Sequence, residues 1–301
     1  MEAVAVEHVT KRFDTVVAVD DLSLRVEQGA VFGLLGPNGA GKTTSLRMIM
    51  HILVPDEGTV QVMGQPASPR TQDLIGYLPE ERGLYPRMKV REVLVFLAAL
   101  KGLSEAEAAR RVADWLERLE LAAWSEKKVN DLSKGMQQKV QFIAAVVHQP
   151  PLLILDEPFT GLDPVNATLI KDIMLELREK GATIILSTHR MEQVEMMCDA
   201  ICLINHGRSV LAGDLRAIKK SYGKNTLRME YSGDDHFLER PELVEKVNHF
   251  GAVAEAKLRP GADPQEILKA AVATGVRLTR FELVEPPLND IFIEKVSEAH
   301  A

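Results

Sequence analysis

Gly36-Pro37-Asn38-Gly39-Ala40-Gly41-Lys42-Thr43-Thr44 follows directly on the apolar run Val31-Phe32-Gly33-Leu34-Leu35 and precedes a helical stretch, Ser45–Ile52. A buried strand running into glycines and then into a helix is the setting in which G-x-x-x-x-G-K-[ST] forms a phosphate-binding loop. Glycines without Cβ let backbone N–H groups turn inward around an anion. The positive end of the following helix dipole adds to that field. Lys42 supplies a point charge for β- and γ-phosphates, and the Thr43 hydroxyl is a ligand for Mg²⁺. The nine residues therefore predict an α/β core that binds a nucleoside triphosphate with Mg²⁺. A Gly-rich turn with no ligand explains the glycines but not the Lys-Thr pair at this spacing.

A second cluster lies further along the chain. Leu152-Leu153-Ile154-Leu155 is apolar throughout and ends in Asp156-Glu157-Pro158. Asp156, at a strand tip, is placed to hold Mg²⁺ directly or through water. Glu157, one residue on, can polarise an attacking water. One solvated acid at a strand end is ordinary; two after four buried residues, in a chain with a phosphate loop, are not. In Asp131-Leu132-Ser133-Lys134-Gly135-Met136-Gln137-Gln138, Ser133 has the place of a helix N-cap. By itself that segment reads as an ordinary cap.

The remaining chain fits this core. Alternation over Val4–Val9, Leu22–Val26 and Thr59–Met63 predicts an antiparallel layer. Apolar runs at Val31–Leu35, Leu152–Leu155, Thr183–Leu186 and Ile201–Ile204 predict buried parallel strands. Helices Val165–Lys180 and Arg190–Met197 fall between them, as in an α/β sheet with helices on both faces. Three helical stretches (Val90–Lys101, Ser104–Leu119, Ser133–His148) form a helical insertion, about residues 85–149, within a domain of about residues 1–218. Ser104 with Glu107 has the order of a capping box. After a polar connector, Lys219–Asn225, residues 225–301 read as a small α+β domain. Its expected elements are strand Thr226–Tyr231, helix Arg240–Phe250, strand Val253–Leu258, helix Pro264–Ala273, strand Arg277–Val284 and helix Pro287–Glu298.

Bulk properties limit the partners. Lys+Arg 36 against Asp+Glu 43 gives a net charge of −7, which offers no electrostatic case for nucleic acid. Cys198 and Cys202 lie in an apolar segment and read as buried small hydrophobes rather than a disulfide. No stretch approaches the ~18 apolar residues of a membrane span, and the N-terminus lacks a signal-peptide core. The expected location is cytoplasmic, with any membrane spanning left to another polypeptide.

Taken together, the motifs resemble the ABC ATPase, the nucleotide-binding subunit of ABC transporters, over about residues 3–214. Gly36–Thr44 resembles Walker A, with Gly36, Pro37, Asn38, Gly39, Ala40, Gly41, Lys42, Thr43 and Thr44 as nucleotide-binding residues. Leu152–Glu157 resembles Walker B with its catalytic carboxylate, Leu132–Gln137 the family signature, Gly161-Leu162-Asp163 the D-loop, and His189 the switch histidine. Phe13 stands where the family stacks an aromatic ring on adenine. The resemblance thus implies Glu157, His189 and Lys42 as catalytic residues, and Thr43, Asp156 and Glu80 around Mg²⁺. It also implies Ser133, Gly135 and Asp163 at an ATP shared by two copies packed head to tail.

Two departures stand out. Glu80 follows Leu74–Pro79 where the family has Gln, and its carboxylate remains a Mg²⁺ ligand. Lys134 replaces a signature Gly and adds a cation near the expected γ-phosphate. Leu132–Lys139 and Glu285–Phe292 are similar to the ABC-2-type exporters, including the sodium-extrusion group. That resemblance implies ATP hydrolysis coupled to a separate polytopic permease, docking on the face around Glu80–Val95. The competing expectation is a soluble ABC ATPase not coupled to transport, acting on ribosomes or DNA. It fits less well, because such relatives carry two cassettes or a long coiled coil.

Overall fold

The computed structural model describes residues 1–81, 83–251 and 253–298. Arg82, inside the expected docking face, and Ala252 and 299–301, inside the expected second domain, lie outside the described residues. Two compact units are present, Met1–Gly213 and Asp214–Ala301.

In the first unit, β1 (Glu2–Phe13) and β2 (Val16–Glu27) form a hairpin. β3 (Val31–Leu35) leads into α1 (Lys42–Ile49). β4 (Glu57–Val62) and β5 (Gln65–Pro66) complete an antiparallel sheet of order β2-β1-β4-β5. The second sheet contains β6 (Ile75–Leu78), β7 (Leu152–Asp156), β8 (Thr183–Thr188), β9 (Ala200–Asn205) and β10 (Arg208–Asp214), in the order β10-β9-β3-β8-β7-β6. From β9 through β6 its neighbours are parallel. β3, β7 and β8 are buried along their whole length, as strands covered on both faces must be. α1 lies within the main apolar core. Its Leu46, Met48 and Ile49 pack with Val6, Leu22 and Val62 of the antiparallel layer and with Leu34, Ile154 and Ile204 of the parallel sheet. That packing anchors the loop before α1 from two sides.

The insertion is helical. α2 (Val90–Leu100), α3 (Glu105–Arg118) and α4 (Lys134–Val146) pack on one another. An edge-to-face contact of Trp115 with Phe142 joins α3 to α4, with centroids 6.4 Å apart. Ser104 caps α3 by accepting from Glu107 N at 3.3 Å. The Glu107 carboxylate turns to Arg110 and Arg111 instead of back to the cap. α5 (Pro164–Glu179) and α6 (Met191–Met197) follow β7 and β8. Cys198 and Cys202 are free. Burial pushes the Cys202 thiol up to about 11, consistent with a packing role. No helix among the described residues is long and apolar enough to cross a membrane.

The second unit opens with α7 (Leu215–Tyr222), capped by Asp214, which accepts from Ala217 N at 2.7 Å. The polar connector expected over Lys219–Asn225 is helical as far as Tyr222. β11 (Thr226–Ser232), β12 (Val244–Phe250), β13 (Val253–Leu258) and β14 (Arg277–Val284) form an antiparallel sheet of order β12-β13-β11-β14. α8 (Pro264–Ala273) and α9 (Leu288–Glu298) complete it.

The helix expected over Arg240–Phe250 is not formed, because 244–250 is strand β12, paired with β13 from Val244↔Leu258 to Phe250↔Val253. Leu243, Val247 and Phe250 have a helical spacing, but Phe250 is 62% exposed. The period therefore marks no buried face. Hairpin pairing with a neighbouring strand satisfies the backbone and overrides weak local propensity.

Candidate functional site

The loop between β3 and α1 keeps its shape for steric reasons. Gly36 has φ 151°, and a Cβ there would stand 2.2 Å from Ile204 O. Gly41 has φ 106°, and its Cβ would stand 2.5 Å from Ala18 O. Only glycine fits either position. The two-residue turn His206-Gly207, both with positive φ, braces the loop from behind. Gly207 N donates to Ala40 O at 2.9 Å, and Asp20 N donates to Gly207 O at 2.9 Å. Ser45 Oγ donates to Gly41 O at 2.9 Å.

Lys42 is 7% exposed. Its ammonium donates to Gly36 O at 2.8 Å and Pro37 O at 3.0 Å, two carbonyls of its own loop. Burial holds its pKa below the ordinary lysine range, opposed by Glu157, Asp156 and Glu80. A desolvated ammonium facing three carboxylates gains from any further anion that enters.

β7 and β8 end level with each other, Asp156 beside Ser187. Asp156 Oδ2 accepts from Thr43 Oγ1 at 2.9 Å, and Oδ1 accepts from Ser187 Oγ. A polar cleft of about 310 Å³ opens over this pair. Asn38, Gly39, Gly41, Lys42, Thr43 and Thr44 line one side; Ala18, Glu80, Asp156 and Glu157 complete it. Hydroxyl and carboxylate oxygens are the donor set that a hard cation such as Mg²⁺ prefers, so Thr43, Asp156 and Glu80 fit that ion.

Glu157 has φ 50°, a left-handed conformation that non-glycine residues seldom adopt. Its N–H donates to Ser187 O at 3.0 Å. Its carboxylate is almost buried, 9% exposed, and sits 2.7 Å from His189 Nδ1. The same Oε1 accepts from His189 N at 3.1 Å, and Oε2 accepts from Thr188 Oγ1 at 3.3 Å. The acid at the cleft wall is thus held by three bonds, one from Thr188 at the end of β8 and two from His189 just after it.

The other sequence-predicted residues lie outside the cleft lining. Gly36, Pro37 and Ala40 form the back of the loop. Phe13, at the end of β1, is 43% exposed, with Lys11 Nζ 5.7 Å from its ring centroid. Ser133 caps α4 by accepting from Met136 N at 3.3 Å. Lys134 is the first residue of that helix and has ordinary helical geometry, which explains why a side chain replaces Gly there without strain. Gly135 lies against the segment before α5, where a Cβ would be 3.1 Å from Gly161 O. Asp163 caps α5, accepting from Asn166 N at 3.0 Å. The Asn166 bonds hold its carboxyl below the usual range. Ser133 and Asp163 are exposed and Gly135 is half-buried, and none of the three lines the cleft.

Sequence reasoning missed Ser187, Thr188, Ser45 and Gly207. Ser187-Thr188 carried a signal in hindsight. Polar residues ending a buried strand next to another that ends in acids must meet them.

Comparisons with known proteins show the family. The ABC transporter family profile matches residues 19–160, and that of the DrrA1-3-like ATP-binding protein C-terminal domain matches residues 213–296. An uncharacterised ABC transporter ATP-binding protein of Bacillus subtilis (strain 168), YhaQ, is 45% identical over 295 residues, covering 98% of this chain and 99% of that one. Nod factor export ATP-binding protein I of Burkholderia thailandensis (strain ATCC 700388 / DSM 13276 / CCUG 48851 / CIP 106301 / E264) is 40% identical over 218 residues, 71% of this chain and 72% of that one. Among solved structures, the fold is similar to the dimeric ATP-binding cassette MJ0796 in a post-hydrolysis state bound to ADP and Pi. The TM-score is 0.66 at 25% identity, over 71% of this chain and 99% of that one.

Proposed function

The chain belongs to the ABC transporter ATP-binding proteins, and we propose that it hydrolyses Mg-ATP to drive an exporter whose membrane-spanning part is a separate polytopic permease. The observation that carries the hydrolytic reading is Glu157. It is a nearly buried carboxylate held by His189 and Thr188 at the wall of a cleft that also contains Lys42, Thr43 and Asp156.

In this reading the triphosphate enters the cleft and takes over the Lys42 ammonium from the carbonyls of Gly36 and Pro37. The N–H groups of residues 38–44 surround the β-phosphate. Thr43, Asp156 and Glu80 would hold Mg²⁺, which would supply charge neutralisation to the phosphates. Glu157 orients and deprotonates the attacking water. An ionised Glu157 only accepts, so the proton on its bond to His189 belongs to Nδ1. Nε2 then donates to a γ-phosphate oxygen only in the imidazolium form. Phe13 packs on the base.

Ser133, Gly135 and Asp163 stand apart from the cleft of their own chain, so we assign them to the nucleotide of a second copy. Two-fold, head-to-tail packing supplies each ATP with one Walker A and one signature edge. The dimeric description of a similar cassette supports this. ATP closes the pair and hydrolysis releases it, a ligand-driven population shift. We divide the chain into a cassette over about residues 1–218 and a small domain over 225–301 that adds to homodimer contact. The cassette works on the inner face of the cell membrane through its permease. The relative named for Nod factor export favours an exporter over an importer. The test is to tag the chain in its native cells, solubilise gently and identify what co-purifies. A stoichiometric polytopic membrane protein is expected; ribosomal proteins, or no membrane partner, would favour the soluble-ATPase reading.

A further inference from the structure

We propose that Gln138 and Gln141, neighbouring positions on one face of α4, are positioning residues that hold the hydrolytic carboxylate and the Glu80 loop in register; this rests on the hydrolytic reading above. Residues three apart on a helix share a face, and these two reach two different loops. Gln138 is 3% exposed. Its Nε2 donates to Pro158 O at 3.1 Å and Glu157 O at 3.5 Å. Gln141 is also 3% exposed, and its Nε2 donates to Glu81 O at 3.3 Å. One buried face of one helix therefore grips the backbone of the water-activating residue and the backbone next to Glu80, the second of the two acids assigned to Mg²⁺.

The backbone of Glu157 needs such a grip. A non-glycine residue at φ 50° is held only where its surroundings over-determine it. Thr188 and His189 hold the side chain, and Ser187 holds the N–H. On the carbonyl side, Thr160 N donates to Glu157 O at 3.1 Å, and Gln138 reaches this carbonyl and the next from the helical insertion. Gln141 makes the same point from its cost. Its Oε1 is buried with no hydrogen-bond partner among the described residues. For stability alone an apolar residue of that size serves better, so the useful atom is the donor.

Gln137 points elsewhere, donating to Val129 O and Leu132 O at 3.1 Å each. That holds the loop leading to Ser133. The glutamines of α4 thus connect the edge that meets a second copy's nucleotide to the cleft of their own chain. A shift of α4 displaces Glu157 and Glu80 together.

The experiment uses full-length Gln138→Met and Gln141→Met, which keep volume and remove the donor. Gln138→Glu is a second variant at the first site, putting an acceptor against two carbonyls. Lys139→Met is the comparison: Lys139 is 6% exposed and donates to Leu119 O at 3.1 Å, a buried bond from the same helix to a different neighbour. Turnover with Mg-ATP, ATP binding in EDTA, and melting temperature are measured for each. A loop misplaced by about 1 Å costs on the order of 100-fold in rate. We expect kcat to fall about 30-fold in both Gln138 variants and about fivefold in Gln141→Met, with ATP affinity within about twofold of wild type. Lys139→Met should melt lower with kcat within about twofold. If kcat follows the melting temperature across all four variants, or if the loss is entirely weaker ATP binding, the proposal is overturned. A wild-type chain without turnover overturns the hydrolytic reading and this proposal with it. Normal wild-type turnover beside unaffected Gln138 variants overturns only the positioning role.

Discussion

Glu157→Gln separates chemistry from binding at this site. The carboxylate accepts from His189 Nδ1, His189 N and Thr188 Oγ1. A glutamine of the same shape keeps Oε1 as an acceptor for both His189 donors. Its amide N–H can donate to the Thr188 hydroxyl, which is acceptor as well as donor. The packing therefore survives, and melting should change by no more than ~1 kcal/mol. The variant cannot take a proton from water. General-base catalysis contributes about 10²- to 10⁴-fold, so kcat should fall by that factor, about 3–5.5 kcal/mol of barrier. Removing one negative charge near Lys42 should leave ATP affinity equal or tighter. The assay is single-turnover hydrolysis beside equilibrium ATP binding, with light scattering for molecular mass. The expected result is an ATP-bound dimer that does not turn over. A kcat within about threefold of wild type would refute the assignment of Glu157. Loss of binding in step with kcat would refute the separation argued here, and monomer alone with ATP and Mg²⁺ would count against the shared-site mechanism.

Gly36→Ala places a methyl 2.2 Å from Ile204 O at a positive φ, so the phosphate loop must shift; ATP affinity measured by calorimetry should weaken at least about 100-fold. His148 has its pKa lowered to about 4 by burial first and the Lys101 charge second, against an ordinary 6.5. The folded chain resists a proton that the unfolded chain takes, so this stability is present above pH 6.5 and is lost as pH falls towards 4. The two values give about 3 kcal/mol, reduced to about 2 by solvent screening of a half-buried ring. Urea melts of His148→Phe should show a flatter dependence over that window, and parallel curves would refute the assignment. Truncation after Lys219 should weaken the ATP-dependent dimerisation constant by about tenfold, about 1.4 kcal/mol; an unchanged constant in analytical ultracentrifugation would remove the C-terminal domain from the interface.

Legibility varied along the chain for physical reasons. Walker A and Walker B are contiguous, and each couples a fully apolar strand to the chemistry that follows it. Both β3 and β7 are buried end to end, so their pattern has one reading. β12 is half exposed with a burial pattern free of strict alternation, so its sparse apolar residues also matched a helical period. α7 was obscured by Lys219 and Lys220 on an amphipathic helix, whose buried residues are Leu215 and Ile218. Gln138 gave little local signal because it acts on a residue 20 positions away.

The sequence alone determined the family, and it singled out the ligand class and the candidate lysine, threonine and two acids, because their chemistry sits in short contiguous motifs beside strongly buried strands. Tertiary structure decided how those motifs meet. The level ends of β7 and β8 bring Ser187 to Asp156 and His189 to Glu157. The turn at Gly207 supports the phosphate loop, and α4 reaches the loops beside Glu157 and Glu80. Those contacts depend on strand register and helix placement, which are set by packing the whole core at once and leave no periodicity in any single segment.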